Sequence, residues 1–516
     1  MQRIRSALSA HLSAVVFSAV WAVLAVFSYV IMIWDAKNGL FAFYPLDTQV
    51  VSGSPLPKLF ITGLFLLGLL LIFLQEFKRF SLPALAVGCI FLFGLGYILL
   101  SPVQNGFDEN AHFFKTLATL EGKLFDFDSY TFAISDSYIL TRDHMHVLWY
   151  DALFSQPWSD SRTVVDGLTN GFLQCTYPPF GYLFCCLGCG LGILLKASAG
   201  TVVFLGRLFN LLGFSALVIA ALKLIPDSRK EARIAVAFVC AIPGVIFNAA
   251  MITQDGVSFA LVMILIALTL RLREEKSLPY LILFSALYLL VIPMRYPFII
   301  LGFLLLLVPK EHFPKGRKAL WTVLLALLAV VFTAAYFFVI SEQFGEIRVE
   351  GTNAKQQILY VLGHLPRFAV QSLSSFILEQ PWLKMLILGN ENGYVISTQL
   401  LYASGFLLLF FLLFILPGKA ELRKAEKALI AGILVFGTFL IYFSLYCTYN
   451  PVGADGPVDG VQGRYFFPLL ALLPLIAPEK PVFRERVLEK TGRWQLSPMF
   501  LLLFNLYAFA SMMYFV

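Results

Sequence analysis

Leu82–Leu100, LPALAVGCIFLFGLGYILL, runs across one serine into Pro102–Phe125, PVQNGFDENAHFFKTLATLEGKLF. The first stretch carries no charge and is long enough to cross a bilayer, which takes about 20 residues. The second places Asp108, Glu109 and His112 close together where that membrane helix ends. From Ala111 to Leu124 the apolar positions Phe113, Leu117, Leu120 and Leu124 fall at helical spacing. This predicts a helix along the membrane surface with its acids at the N-terminal end. Two readings of the acids stay open. Asp108 is a catalytic base beside the lipid headgroups, or the pair is a hydrated helix start, where Asp and Glu are favoured in any helix.

Outward from this stretch the chain is apolar throughout. Of 516 residues 59% are hydrophobic, 15% aromatic and only 13% charged, a balance that excludes a soluble globular protein. The reading is an all-α polytopic membrane protein. Leu12–Ile33 is too long for a signal-peptide core and reads as a retained membrane helix. The net charge of +7 marks cytoplasmic loops and gives no reason to expect nucleic acid. Cys186-Leu-Gly-Cys189 has CxxC spacing but sits in a Gly-rich apolar run, so it reads as small residues packing in a helix.

Apolar runs occur at 12–33, 59–75, 82–100, 200–222, 234–253, 257–270, 319–340, 397–416, 429–447, 464–477 and 498–516. The run 279–309 is broken at Pro293-Met294-Arg295-Tyr296-Pro297 and reads as a hairpin of two short helices with Arg295 near its tip. About 13 spans result. With the N-terminus in the cytoplasm, the inner loops hold nearly two-thirds of the 38 Lys and Arg but only about a third of the 31 Asp and Glu. The positive-inside rule requires this asymmetry, and the C-terminus then lies outside. It holds only if the apolar segment 177–196 does not cross, and so is re-entrant or interfacial. The organisation is an N-terminal transmembrane hairpin, 1–81; a membrane core, 82–480, with outer loops 101–176 and 341–396; and a basic loop with the last span, 481–516. Both outer loops are expected to carry amphipathic helices, the second over Gln356–Leu388, broken at Pro366 and Pro381.

The groups able to do chemistry fall on the outer side of this scheme. Besides Asp108, Glu109 and His112 there is Asp255 in the tight turn Thr253-Gln254-Asp255, where a charge is costly unless hydrated or paired. Arg295 either snorkels to lipid phosphate or clamps a substrate phosphate. Arg464, in Val461-Gln462-Gly463-Arg464-Tyr465, suits an anion in the same way, and Arg207 with Asn210 is a weaker example. Carboxylates and guanidiniums on one membrane face fit a transfer in which a base deprotonates an acceptor hydroxyl while cations hold a departing phosphate. Adjacent side chains diverge, so Glu109 cannot share the base role and positions acceptor or metal. His144 and His146 form an HxH in an acidic loop, which reads as non-metal more readily than as a metal pair.

These motifs resemble a bacterial family of predicted multi-spanning membrane proteins bearing a domain of unknown function, of the GT-C glycosyltransferase pattern. The matching elements are Pro102, Asp108, Glu109, His112, Phe113 and Gly122; Tyr177, Pro178 and Pro179 before the Arg207 span; Asp255; Arg295 with Tyr296, where Lys is commoner; and the complete run Gly460–Pro468. The resemblance covers roughly 82–480. It implies a GT-C-like bundle with a catalytic acid in the first outer loop. It also implies a sugar donor carried on polyprenyl phosphate, undecaprenyl phosphate in bacteria. It assigns Asp108, Glu109, His112 and Asp255 to catalysis, and Arg295, Tyr296, Arg464, Tyr465, Gln462 and Arg207 to the donor phosphate and lipid. Tyr177, Pro178 and Pro179 shape the substrate site. GT-C enzymes include metal-dependent and metal-independent members, so Mg or Mn stays open, with Asp108, Glu109, His144 and His146 as its candidate ligands.

Three functions compete. One is a hexosyltransferase in the bacterial cytoplasmic membrane, moving sugar with inversion to a cell-wall polysaccharide, teichoic acid or similar glycan on the outer face. Another is a transporter or flippase of lipid-linked sugar, expected to show paired repeats and interrupted helices near the midplane. No such pattern is visible in the sequence. The last is a polysaccharide polymerase or ligase using a diphosphate-linked donor.

Overall fold

A computed structural model describes residues 11–38, 56–104, 106, 108–124, 131–143, 154–166, 177–344, 351–379, 398–416, 422–477 and 496–510. The chain opens with α1 (Leu12–Asn38), α2 (Leu56–Lys78) and α3 (Leu82–Leu100). The first outer loop follows, with α4 (Glu109–Leu120), β1 (Thr131–Ser135), α5 (Asp136–Asp143) and β2 (Arg162–Asp166). Strands β1 and β2 pair antiparallel, Thr131 opposite Asp166. That small sheet was not expected in an all-α chain. A 3-10 turn at Pro179–Tyr182 leads into α6 (Leu183–Leu194), and α7 (Ala199–Leu224) returns.

Next come α8 (Lys230–Cys240), α9 (Pro243–Ala249) and α10 (Asp255–Glu274). The hairpin is α11 (Leu278–Val291), a 3-10 turn Ile292–Met294, the extended Arg295, and a 3-10 segment Tyr296–Leu307. Pro293 and Pro297 lack the amide hydrogens a continuous helix needs, and so break it where the sequence predicts. Then α12 (Lys318–Phe344), α13 (Ala354–Gly363), α14 (Leu365–Glu379), α15 (Thr398–Phe410, ending in a π-helical turn to Ile415) and α16 (Lys424–Tyr449) follow. The last elements are α17 (Phe467–Leu470), α18 (Leu473–Ile476) and α19 (Leu496–Ala510).

Among the described residues seven helices are long and apolar enough to cross a membrane, or eight if α8 and α9, bent by 65°, form one span. Of the thirteen expected, 397–416 and 498–516 run partly outside the described residues, and others fall short for physical reasons. The run 464–477 is three single turns. Both arms of the 279–309 hairpin are short. Helix α6 has 12 residues, which rise only about 18 Å against a hydrocarbon core of about 30 Å. The surface helix expected at Ala111–Leu124 is instead inside the protein: apart from Asn110, every residue from Glu109 to Ala118 is buried.

Helix α10 is apolar all round and is the centre of the bundle, its membrane-length window 94% buried. It packs against α7 and α11. Helices α6 and α7 meet through small residues. A Cβ on Gly188 would lie 2.1 Å from the Leu205 carbonyl oxygen, so only glycine allows the approach. Cys186 and Cys189 are buried free thiols, the first against the Thr116 carbonyl of α4 and the second against the Val202 carbonyl of α7, which supports the packing reading of the CxxC run.

The far end of the bundle gathers basic loops. Arg229 pairs with Glu274 at 2.6 Å, Arg273 with Glu426 at 2.8 Å, and Lys427 donates to the Ala477 carbonyl. These contacts tie the ends of α8, α10, α16 and α18 together. At the other end Asp255 begins α10, Arg295 precedes the Tyr296–Leu307 segment, and Arg207 lies about two turns into α7.

Candidate functional site

Asp108 closes the turn after α3 in a left-handed conformation, φ 51°, and Glu109 begins α4. The two adjacent carboxylates diverge, as the geometry of neighbouring side chains requires, and meet different arginines.

Glu109 is fully buried. It accepts from Arg207 Nε at 2.8 Å and Nη2 at 2.6 Å, from the Ile252 amide at 2.9 Å and from the Gly106 amide at 3.0 Å. Arg207 also donates to the carbonyls of Ser101, at 2.8 Å, and Pro102, at 2.7 Å. One guanidinium therefore ties the end of α3 and the start of α4 to α7, and Glu109 adds the turn before α10. A buried ion pair is tolerated when both partners are this fully bonded. Glu109, expected to position acceptor or metal, and Arg207, expected on the donor phosphate, spend their hydrogen bonds inside the protein. They hold the site's frame.

Asp108 meets Arg464, with Oδ2 2.5 Å from Nη2. Arg464 also reaches Asp255, Nη1 to Oδ2 at 3.1 Å. Asp255 is bonded in turn to Arg295 through Oδ1. Arg295 donates to the Tyr177 hydroxyl at 3.1 Å. Its guanidinium lies 4.5 Å from the Tyr465 ring centre, and that of Arg464 lies 5.5 Å from the same ring, so Tyr465 serves both cations. Asp255 is the first residue of α10, where the helix dipole favours a carboxylate. Arg464 sits in the 3-10 turn Gly463–Phe466. Thus residues more than 350 positions apart in sequence form one ion-pair cluster. Arg464 is 4% exposed and Asp255 8%. The Asp108 side chain is 38% exposed and is the group of the cluster most open to solvent.

A narrow cleft with room for about one water lies beside the cluster, lined by Asp255, Arg295, Arg464 and Tyr465 together with Asn248 and Ser258. His112 is fully buried next to the cluster, its Nδ1 2.5 Å from the Tyr182 hydroxyl and its ring stacked on Tyr177. Burial pulls the imidazole down to about 4, with Asp255 acting upward and Arg464 downward. It is therefore neutral near pH 7.

The structure brings together Asp108, His112, Tyr177, Asp255, Arg295, Arg464 and Tyr465 of the expected set. Pro178 and Pro179 start the turn that sets Tyr182 beneath His112. Tyr296 packs against the apolar core. Gln462 precedes the Arg464 turn, and its carbonyl accepts from the Tyr465 amide at 3.2 Å. His144 and His146 lie outside the described residues. Among the described residues no group of three or more His, Cys, Asp or Glu is placed to hold a metal. Asp108 and Asp255, the carboxylates of the cluster, face guanidinium groups. Tyr182 and Asn248 went unread. Asn248 was legible only as a lone amide in the apolar run 234–253, and Tyr182 gave no signal beyond its aromatic surroundings.

A family model described as a predicted membrane protein, DUF2142, matches residues 91–473. No curated protein and no solved structure matches the chain.

Proposed function

The chain belongs to the DUF2142 family of predicted membrane proteins, and we propose that its buried cluster transfers a sugar from polyprenyl phosphate to a glycan hydroxyl. One observation carries the reading. Arg464 bridges a solvent-reaching carboxylate, Asp108, and a buried one, Asp255, beside a cleft that a second arginine also lines. Two guanidiniums suit a phosphate, which accepts from their planar forks. The more exposed carboxylate suits a base.

In this mechanism the donor phosphate takes hydrogen bonds from Arg295 and Arg464. The acceptor oxygen attacks the anomeric carbon from the side opposite the phosphate, and Asp108 takes the hydroxyl proton. The bond from the anomeric carbon to the phosphate oxygen breaks, and its electron pair stays on the phosphate, which the arginines stabilise. The anomeric centre inverts, and Asp108 then gives its proton to solvent. Asp255 holds the two arginines in place.

The acceptor class is a cell-envelope polysaccharide or teichoic acid, and the donor carrier is undecaprenyl phosphate. In this reading the site faces the outside of a bacterial cytoplasmic membrane, which the gathering of basic loops at the opposite end of the bundle supports. GT-C architecture is part of this proposal. The test is transfer of radiolabelled sugar from an undecaprenyl-phospho-sugar by membranes containing the chain. Activity that disappears in Asp108→Asn supports the reading, and unchanged activity in that variant removes it.

A second reading is favoured by the broken helices. The chain is interrupted at Arg295, next to the cluster, as the prolines predict, and also at Cys240–Pro243, inside a run read as continuous, and transporters build substrate sites from such breaks. Movement of lipid-linked sugar across proteoliposomes without any transfer product favours it over catalysis.

A further inference from the structure

Asn248 lies near the end of α9, only 3% exposed, and lines the cleft with Asp255, Arg295 and Arg464. Its place there depends on Gly256. A Cβ at that position would lie 2.8 Å from the Ala249 Cα, so glycine lets α9 and α10 approach closely enough to set Asn248 beside the cluster. Asn248 Nδ2 donates to the Gly244 carbonyl at 2.7 Å. That bond decides the orientation of the amide, because the flipped form would set two oxygens against each other. Oδ1 is thus the other end of the group. It is buried and accepts no hydrogen bond from any described residue. A buried amide oxygen left unpaired is costly, so a donor is expected to meet it.

The neighbouring charges narrow what that donor is. Arginines 295 and 464 bind the anionic part of a ligand, and a phosphodiester near neutral pH has no proton to offer. An acceptor beside that anion site suits a hydroxyl carried on the same ligand, once the water-sized cleft widens to admit it.

We propose that Asn248 Oδ1 is a specificity determinant that accepts a hydrogen bond from a hydroxyl of the sugar on the donor phosphate. The inference rests on the glycosyl-transfer reading. The cleft then recognises a hydroxylated phosphodiester and tells a sugar-loaded polyprenyl phosphate from the bare carrier. The spent carrier has lost that hydroxyl, so it keeps the arginines and gives up the Asn248 contact, which favours exchange for a fresh donor.

The experiment measures binding of undecaprenyl phosphate and of its glucose, mannose and N-acetylglucosamine phosphodiesters to the full chain in detergent micelles. The wild type is expected to prefer at least one loaded lipid. Asn248→Leu is expected to weaken that lipid by roughly tenfold or more while bare undecaprenyl phosphate binds as before. Asn248→Ala supplies the same readout if the leucine variant does not fold. Arg464→Ala is expected to weaken loaded and bare lipids alike. If the Asn248 variants weaken both lipids equally, or neither, the proposal is overturned while the transfer reading stands. A wild type that binds none of these lipids overturns both. A loaded-lipid preference that depends on Asn248, with no sugar transfer in the membrane assay, leaves the subsite in place and removes the enzyme.

Discussion

Two arginine–carboxylate systems stand within a few residues of each other and do different work. In the first, Arg207 and Glu109 are 3% and 0% exposed, and the carboxylate takes four hydrogen bonds from Arg207 and two backbone amides. In the second, Arg464 is equally buried, but its partner Asp108 reaches solvent and a cleft lies alongside. The chemistry of the pair is the same in both. The surroundings separate a structural clamp from a site able to exchange partners: where backbone groups fill the bonding capacity, no ligand can enter. An arginine–acid pair in a membrane protein is therefore a functional candidate only when its capacity can be reached.

The largest expected effect tests the clamp. Glu109→Gln leaves the Arg207 guanidinium buried without a countercharge, which costs about 3–5 kcal/mol. A large fall in the thermal midpoint of the detergent-solubilised chain is expected. Arg207→Met with Glu109→Leu is expected to recover much of it, since matched apolar groups often replace a buried pair at little cost. Next is the open pair. Asp108→Asn is expected to reduce sugar transfer by roughly a hundredfold or more, as loss of a general base does, with donor binding and the thermal midpoint kept. Equal destabilisation by Glu109→Gln and Asp108→Asn erases the distinction drawn between them.

The third prediction concerns pH and His112. Its folded value of about 4 lies below the ordinary value of 6.5. The unfolded chain then binds the extra proton first as pH falls. The contribution of neutral His112 is complete above about pH 6.5 and is lost between there and pH 4. From pH 7 to pH 5 the loss is about 2 kcal/mol. The thermal midpoint should drop across that window, and His112→Gln should flatten the part of the slope due to this residue. A midpoint that is flat in the wild type removes the buried neutral imidazole. The smallest effect sharpens the open site. Arg464→Lys replaces a fork that reaches both Asp108 and Asp255 with a point charge, and is expected to weaken donor binding by roughly tenfold. Unaltered donor affinity excludes Arg464 from the phosphate.

Hydropathy and local chemistry explain what was readable. The spans 82–100, 200–222 and 257–270 emerge as continuous helices, because an uncharged run of that length satisfies its backbone internally. The break at Arg295 was readable because proline acts locally. Hydropathy did not separate a core helix from a peripheral one. Asp255–Glu274 and Lys318–Ala335 have mean hydropathy 1.9 and 2.1, yet 94% of one window is buried and 11% of the other. Nor did it show that Glu109–Ala118 is buried apart from Asn110, since a helix with a polar face looks the same on a membrane or under another loop. The residues of the open cluster were each visible as charges in apolar surroundings. Their pairing was not, because Asp108 and Arg464 approach only through the packing of the helices between them.

The sequence by itself determined that the chain is a membrane protein, where its longest helices run, and which few charges must be paired. Those are consequences of solvation, which each segment meets alone. Tertiary structure decided which arginine meets which acid, that Glu109 is sealed while Asp108 is open, and that Asn248 stands beside them with an oxygen unspent. These depend on the distance between helices, and in this chain that distance is controlled by contacts such as Gly94 of α3 against Leu211 of α7, across which no local pattern in the sequence reaches.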